Sequence, residues 1–356
     1  MSRYEVRKFR DEDKGEMLAL FEEVWTKELA DKLDEMWEWK YKTNPHDPPE
    51  GNKSCVLERD GRIIGMLGLL PDFAKVKDRT LPVIWAIDFA VHPDFRGGGF
   101  RILNWARKEN ESDLQFGIVI AGRPYEFYKK MRYLPVFSFS IFKNILNPQS
   151  FFRKKSKGKA FVFLISLLIK SVTGFLSLFN IPLKDKHIAV SEVSGFDDRF
   201  DELWQQASKD YTICMARDKD FLNWRFFKKP DRDYAIFAAE KNGKILGYIV
   251  LKTKVDDNKK YGTITDVFTR KSDKKALHCL IARALEYFRA QGVDIASYAI
   301  PPKCAFYRSA LIKNGFFVRT KGGAFVASPA KYIEIEKDLM KPKNWYLTPM
   351  SSDMER

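Results

Sequence analysis

Ile84-Trp85-Ala86-Ile87-Asp88-Phe89-Ala90-Val91-His92-Pro93-Asp94-Phe95-Arg96-Gly97-Gly98-Gly99-Phe100-Arg101-Ile102-Leu103-Asn104-Trp105-Ala106 is the stretch on which the fold is decided. Ile84 to Val91 is apolar and β-prone, which predicts a buried strand. Pro93-Asp94 stops it with a turn signal. Gly97, Gly98 and Gly99 follow, and then Ile102, Leu103 and Ala106 open a helical pattern. Strand, glycine loop and helix in that order make an anion site. Glycine lets the backbone approach a phosphate closely, and the helix start aims N–H groups and a positive dipole end at the same point.

Upstream, Tyr4 to Phe9 alternates as an edge strand would, and Asp11-Glu12-Asp13 marks a helix start. Met17, Leu18, Phe21, Val24 and Trp25 recur at helical spacing. A second helix is expected over Asp31 to Tyr41, stopping near Asn44-Pro45. Asp60-Gly61 between Cys55–Glu58 and Arg62–Leu70 predicts a hairpin. Downstream, Phe116 to Ala121 reads as a strand and Pro124 to Lys130 as the start of a helix.

This order, with Val91 to Gly99, resembles the acyl-CoA pyrophosphate loop and domain plan of the GNAT acetyltransferases. Arg96 and Gly99 fall on the first two fixed positions of that loop. Arg101 stands where the family has a small residue. The resemblance implies acetyl-CoA, or another acyl-CoA, as co-substrate without a metal. It would be held by Phe89, Ala90, Val91, Arg96, Gly97, Gly98, Gly99, Phe100 and Arg101. It also implies a leaving-group acid in the helix after the next strand, where Phe127-Tyr128-Lys129 resembles the family stretch and Tyr128 is the tyrosine; Arg132 replaces a family glycine there. Asp88 is the acidic residue inside the central strand. It is a candidate general base by desolvation, with a hydrogen-bonded structural carboxylate as the other reading.

The pattern then recurs. Trp39-Lys40-Tyr41 is echoed by Trp224-Arg225-Phe226, Asp60-Gly61 by Asn242-Gly243, and Phe127-Tyr128 by Phe306-Tyr307, at offsets of 185, 182 and 179 positions. Ordered matches at a nearly constant, domain-sized offset indicate tandem duplication. The second copy has no glycine loop, reading Asp266 to Ala276 without a glycine, and Asp266 repeats Asp88. The expected architecture is α/β (an α+β mixed sheet), with two tandem GNAT-like acyltransferase domains. Each would be a mixed, mostly antiparallel sheet flanked by helices: 1–147 with the loop, 188–340 without it, a linker over 148–187 and a tail over 341–356.

With 356 residues, two domains fit. The four cysteines are scattered, so neither a disulfide framework nor a zinc site is signalled. The first residues hold no apolar signal region, and a cytoplasmic setting is the expectation. A net charge of +15 favours anionic partners without choosing among them. Residues 160–179 are mostly apolar and follow a basic run from Arg153. They read as a buried linker helix, as a membrane span or, through 153–179, as a peripheral contact with anionic membrane at its inner face. The expected activity is acyl transfer to a primary amine on a small molecule, glycan or peptide. An aminoacyl-tRNA-dependent transferase and a non-catalytic binding protein are the alternatives; the pyrophosphate loop disfavours a nucleic-acid partner.

Overall fold

The computed structural model describes residues 4–95, 97–119, 128, 130–131, 133–148 and 185–351. In the first half, β1 (Tyr4–Lys8) pairs with β2 (Cys55–Arg59), β2 with β3 (Arg62–Val76), and β3 with β4 (Arg79–Val91), all antiparallel. The β2–β3 hairpin turns at Asp60 and Gly61, whose φ values of 52° and 83° are those of a two-residue turn matched to strand twist. α1 (Lys14–Val24) buries Met17, Leu20 and Phe21. The predicted helix over Asp31 to Tyr41 is two helices, α2 (Lys27–Glu35) and α3 (Trp37–Tyr41), broken at Met36 (φ −88°, ψ −2°). The break has a packing cause. Trp37, Trp39, Lys40 and Tyr41 are all buried, and one straight amphipathic helix cannot bury every side at once. α4 (Gly98–Glu109), β5 (Leu114–Val119) and β6 (Leu134–Ile145) complete this half.

The second half repeats the plan. β7 (Ala189–Glu192), α5 (Asp198–Ala207), β8 (Ile213–Met215) and α6 (Lys219–Phe226) precede β9 (Tyr234–Lys241). β10 (Lys244–Asp256), β11 (Lys259–Thr269), α7 (Lys274–Ala290), β12 (Ile295–Ile300), α8 (Ala305–Lys313) and β13 (Phe317–Ser328) follow. Asn242 and Gly243 turn the β9–β10 hairpin with φ of 53° and 76°, as Asp60 and Gly61 do.

The two halves share one mixed sheet. Its order is β1-β2-β3-β4-β5-β13-β6-β12-β11-β10-β9-β7. The last strands have changed places: β13 of the second half pairs with β5 of the first, and β6 of the first pairs with β12 of the second. β6 and β13 then pair antiparallel with each other. Pairing β8 to the far end of β3 adds a second join. The segment expected as a tail joins the fold as well. β14 (Trp345–Tyr346) runs parallel to β8, and Trp345 packs edge-on against Phe116, Phe325 and Phe137.

The repeat meets itself at Trp39 and Trp224. Their rings stack 4.4 Å apart at 12°, and each indole N–H donates to the other's backbone carbonyl, at 2.9 and 3.1 Å. Equivalent residues exchanging equivalent bonds mark a local two-fold axis between the halves.

His46 is a second tie. Its Nδ1 lies 3.1 Å from Asp72 and its Nε2 3.0 Å from Asp218 of the second half, and the ring stacks on Phe221 at 4.5 Å. Burial alone would lower its pKa, but the Asp218 and Asp72 hydrogen bonds and charges outweigh that and raise it from 6.5 to about 9. A raised histidine pKa stabilises fully below the unfolded value and is lost as pH rises through the folded one. The tie is therefore expected to be complete below about pH 6.5 and lost through pH 9, a change of about 3 kcal/mol. Urea denaturation of the parent and His46→Gln at pH 6 and pH 9.5 checks it; the parent midpoint should fall and the variant's change little.

Candidate active site

β4 and β5 run parallel for only three register pairs, Val83 with Leu114 to Trp85 with Phe116. Beyond Trp85, β4 continues beside β3 to Val91 without β5. A strand edge therefore opens into a wedge lined by Ala86 to Val91. Along the other edge the β3–β4 register shifts between Met66 and Gly68, which puts Asp88 and Phe89 in a bulge, with Asp88 at φ 43°.

α4 begins where β4 ends. Gly97 is its N-cap in the left-handed region (φ 89°), while Gly98 and Gly99 already belong to the first turn. The three glycines are thus one turn residue and a helix start, not a free loop. Gly98 has a steric reason to be glycine: a Cβ there would lie 2.9 Å from Leu57 Cδ2 and 3.1 Å from Val91 Cγ1. The helix start is pressed onto β2 and β4, and the Gly98 N–H donates to the Phe95 carbonyl at 3.0 Å. Phe100 is exposed. Arg101 lies on the outer side of the turn, its guanidinium 4.9 Å from the Tyr4 ring centroid, where Arg59 also reaches Tyr4 and Phe95. Its bulk is accommodated on β1. Arg96, residues 120–127, Lys129 and Arg132 lie outside the described residues.

Tyr128 reaches the far wall of the wedge. A Cβ on Gly117 of β5 would sit 3.8 Å from the Tyr128 hydroxyl, and Tyr133 packs edge-on against the ring at 5.2 Å. Tyr133 itself donates to Gln115, which holds the backbone of Arg107 and Asn110 at the end of α4. Burial pushes the Tyr128 hydroxyl up to about 12, so it carries its proton at neutral pH.

Asp88 is buried and engaged. Lys40 Nζ donates to its Oδ2 at 2.7 Å and the Tyr41 hydroxyl at 2.8 Å. A Cβ on Gly68 would meet that same hydroxyl at 2.6 Å, so only glycine lets Tyr41 reach the bulge. Next to this pair opens a cavity of about 170 Å3, walled by α1, α2 and Trp39 on one side and by α6 and β10 of the second half on the other. His92 serves the turn: its Nδ1 accepts from the Asp94 N–H at 3.2 Å and its Nε2 meets Glu23 at 2.8 Å.

In the second half the matching wedge is filled. β11 and β12 also pair over three residues and part. Tyr346 then enters, its hydroxyl donating to the Val267 carbonyl, its ring stacked on Tyr307 at 4.5 Å. The Met350 N–H donates to the Thr265 carbonyl at the β11 bulge. Tyr307, the repeat of Tyr128, is wholly buried and hydrogen-bonds Tyr211 at 2.6 Å. Asp266, the repeat of Asp88, is gripped by Arg217, Tyr248 and Thr348. No sequence pattern announced this filling.

Among the described residues no helix is long and apolar enough to cross a membrane, and no cluster of His, Cys, Asp and Glu is arranged to hold a metal ion. Residues 160–179 lie outside the described residues.

The family described as "Acetyltransferase (GNAT) domain" matches residues 5–132. No curated protein matches the chain in sequence. Among solved structures, a GCN5-related N-acetyltransferase from Anabaena variabilis superposes with a TM-score of 0.64 at 13% identity, covering 93% of this chain and 74% of that one. Saccharomyces cerevisiae N-myristoyltransferase with bound myristoyl-CoA gives 0.56 at 13% identity, covering 92% and 83%. A tandem GNAT protein from the clavulanic acid biosynthesis pathway gives 0.55 at 14% identity, covering 92% and 98%. These likenesses are of fold.

Removing Lys40 would leave the Asp88 carboxylate buried without its ammonium. Lys40→Met is expected to lose about 3–5 kcal/mol of stability, and Lys40→Met with Asp88→Asn to lose less than the single change. Denaturant midpoints of the four members of the cycle measure the coupling.

Proposed function

For this chain, whose residues 5–132 match the acetyltransferase (GNAT) domain family, we propose acyl-CoA-dependent transfer, with an acetyl group as the simplest donor, to a primary amine by direct attack. The observation that carries this reading is asymmetry: among the described residues the β4 edge beyond Trp85 has no strand or side chain bonded across it as Tyr346 is bonded in the second half, where it fills the matching wedge. The residues present fit an acyl-CoA. Gly97 and Gly98 admit a pyrophosphate at the α4 start, Arg96 precedes them in the sequence as the basic residue of the loop, and the β4 edge over Phe89, Ala90 and Val91 offers backbone partners to an extended arm. Phe100 and Arg101 border the same turn. The 1–147 unit then carries activity and the 188–340 unit shapes the acceptor side.

Acyl-CoA supplies an activated thioester. Tyr128 is assigned to the leaving sulfur. Full proton transfer from a hydroxyl near 12 to a thiolate near 8.5 is uphill by about 5 kcal/mol, so its role is a hydrogen bond that strengthens as charge gathers on sulfur. Asp88, expected as a general base, is assigned instead to holding the β4 bulge. Lys40 and Tyr41 occupy its Oδ2, and Asp266 is gripped comparably where the wedge is filled. The amine then loses its proton to water.

Two assays with acetyl-CoA and an amine panel, following thiol release, test the assignments. Tyr128→Phe should lower kcat roughly 10–100-fold with little change in KM. Asp88→Asn should lower stability and keep the acid limb of the pH–rate profile; losing that limb would return the base role to Asp88. Acetyl-CoA should also raise Tm by mass action, and the absence of any shift would remove the reading.

A further inference from the structure

The cavity beside Asp88 has a charge that acyl transfer alone does not require. Six cationic side chains line it: Lys32, Lys40, Arg225, Lys229, Lys252 and Lys254. Glu28 and Asp88 are the carboxylates on its wall, and Lys40 is matched to Asp88. Behind the wall, Asp231 is shared by three ammonium groups: Lys229 at 2.9 Å, Lys32 at 3.5 Å and Lys252 at 3.7 Å. One carboxylate cannot neutralise three lysines. Among the described residues the cavity therefore keeps an excess of positive charge.

That excess is arranged, not merely exposed. Lys229 and Lys252 are mostly buried, with side chains 9% and 17% exposed, and both extend across the Tyr234 ring. Arg225 is buried, its Nε donating to the Met350 carbonyl at 3.1 Å and its guanidinium over Trp39. Gathering like charges in a partly desolvated cleft works against folding, and such a cleft concentrates anions. The cations come from α2 and α3 of the first half and from α6, the loop after it and β10 of the second, so the cavity exists only once the halves join. Phe21, Leu29, Leu33 and Met36 add an apolar wall.

We propose that this cavity is the acceptor site and that the acceptor is an amine bearing an anionic group, phosphate or carboxylate. The anion would lie on Lys252 and Lys254, with the amine towards the β4 bulge. The proposal rests on the acyl-transfer reading for the amine but not for the anion. It makes the degenerate second half the part that selects substrate.

Calorimetry on the full chain saturated with CoA tests it, with glucosamine 6-phosphate against glucosamine for the phosphate arm and 4-aminobutyrate against 4-aminobutanamide for the carboxylate arm. One anionic probe should bind at least about tenfold tighter than its neutral partner, and the arm that responds identifies the anion. Lys252→Gln with Lys254→Gln should remove that preference, while Lys252→Arg with Lys254→Arg should keep it, and both should retain the heat of CoA binding. Equal affinity within both pairs overturns the proposal, as does a preference that survives the glutamine variant. If the anion preference is present in a CoA-free titration but CoA gives no heat, the anion site is supported and the acyl-transfer reading fails alone.

Discussion

Strands β6 and β13 pair with each other, and each also closes the sheet of the opposite half. A strand placed in this way has no unpaired edge and leaves none on its neighbour. β5 would be an exposed edge without β13, and β12 without β6. The halves are therefore not two domains touching through side chains but one hydrogen-bonded sheet. The Trp39–Trp224 stack and the His46 bridge are placed by that sheet. So is the cavity whose walls come from both halves.

Duplication gave two wedges, and the fold has treated them differently. In each, a parallel pair parts after three residues, which leaves backbone groups on the central strand to be satisfied. In the second half the chain satisfies them itself, with Tyr346 and the Met350 amide. A tyrosine that could have faced a ligand, Tyr307, became a core residue in that packing. In the first half the corresponding tyrosine lies against Gly117, whose lack of a side chain keeps the wall thin. The same sequence plan has thus produced a filled joint and one that, among the described residues, is not filled in that way.

Much of this was legible in the residues. The hairpin at Asp60-Gly61 and the strand ending at Val91 follow from local rules of turn geometry and alternation. The repeat was legible because Trp39 and Trp224 are held by one mutual contact, which constrains both positions together. What was not legible is non-local. The exchange of β6 and β13 leaves no local mark, since either strand would have the same alternation beside its own half. The break at Met36 depends on neighbours all round α3, and the role of Asp88 depends on Lys40 and Tyr41, nearly fifty residues away. Arg101 stands where the loop pattern has a small residue, and its outlet, the Tyr4 ring, lies on another strand.

The exchanged strands also order events in time. β5 ends at Val119, but the strand that must lie beside it begins at Phe317, about 200 residues later. At ordinary rates of synthesis that is roughly 10–40 s during which the first half has emerged with one edge bare. Through that interval the nascent chain holds a partial sheet, which must avoid pairing with another chain. A protein built this way is vulnerable mainly while it is being made, and the emergence of β13 removes the risk at the β5 edge.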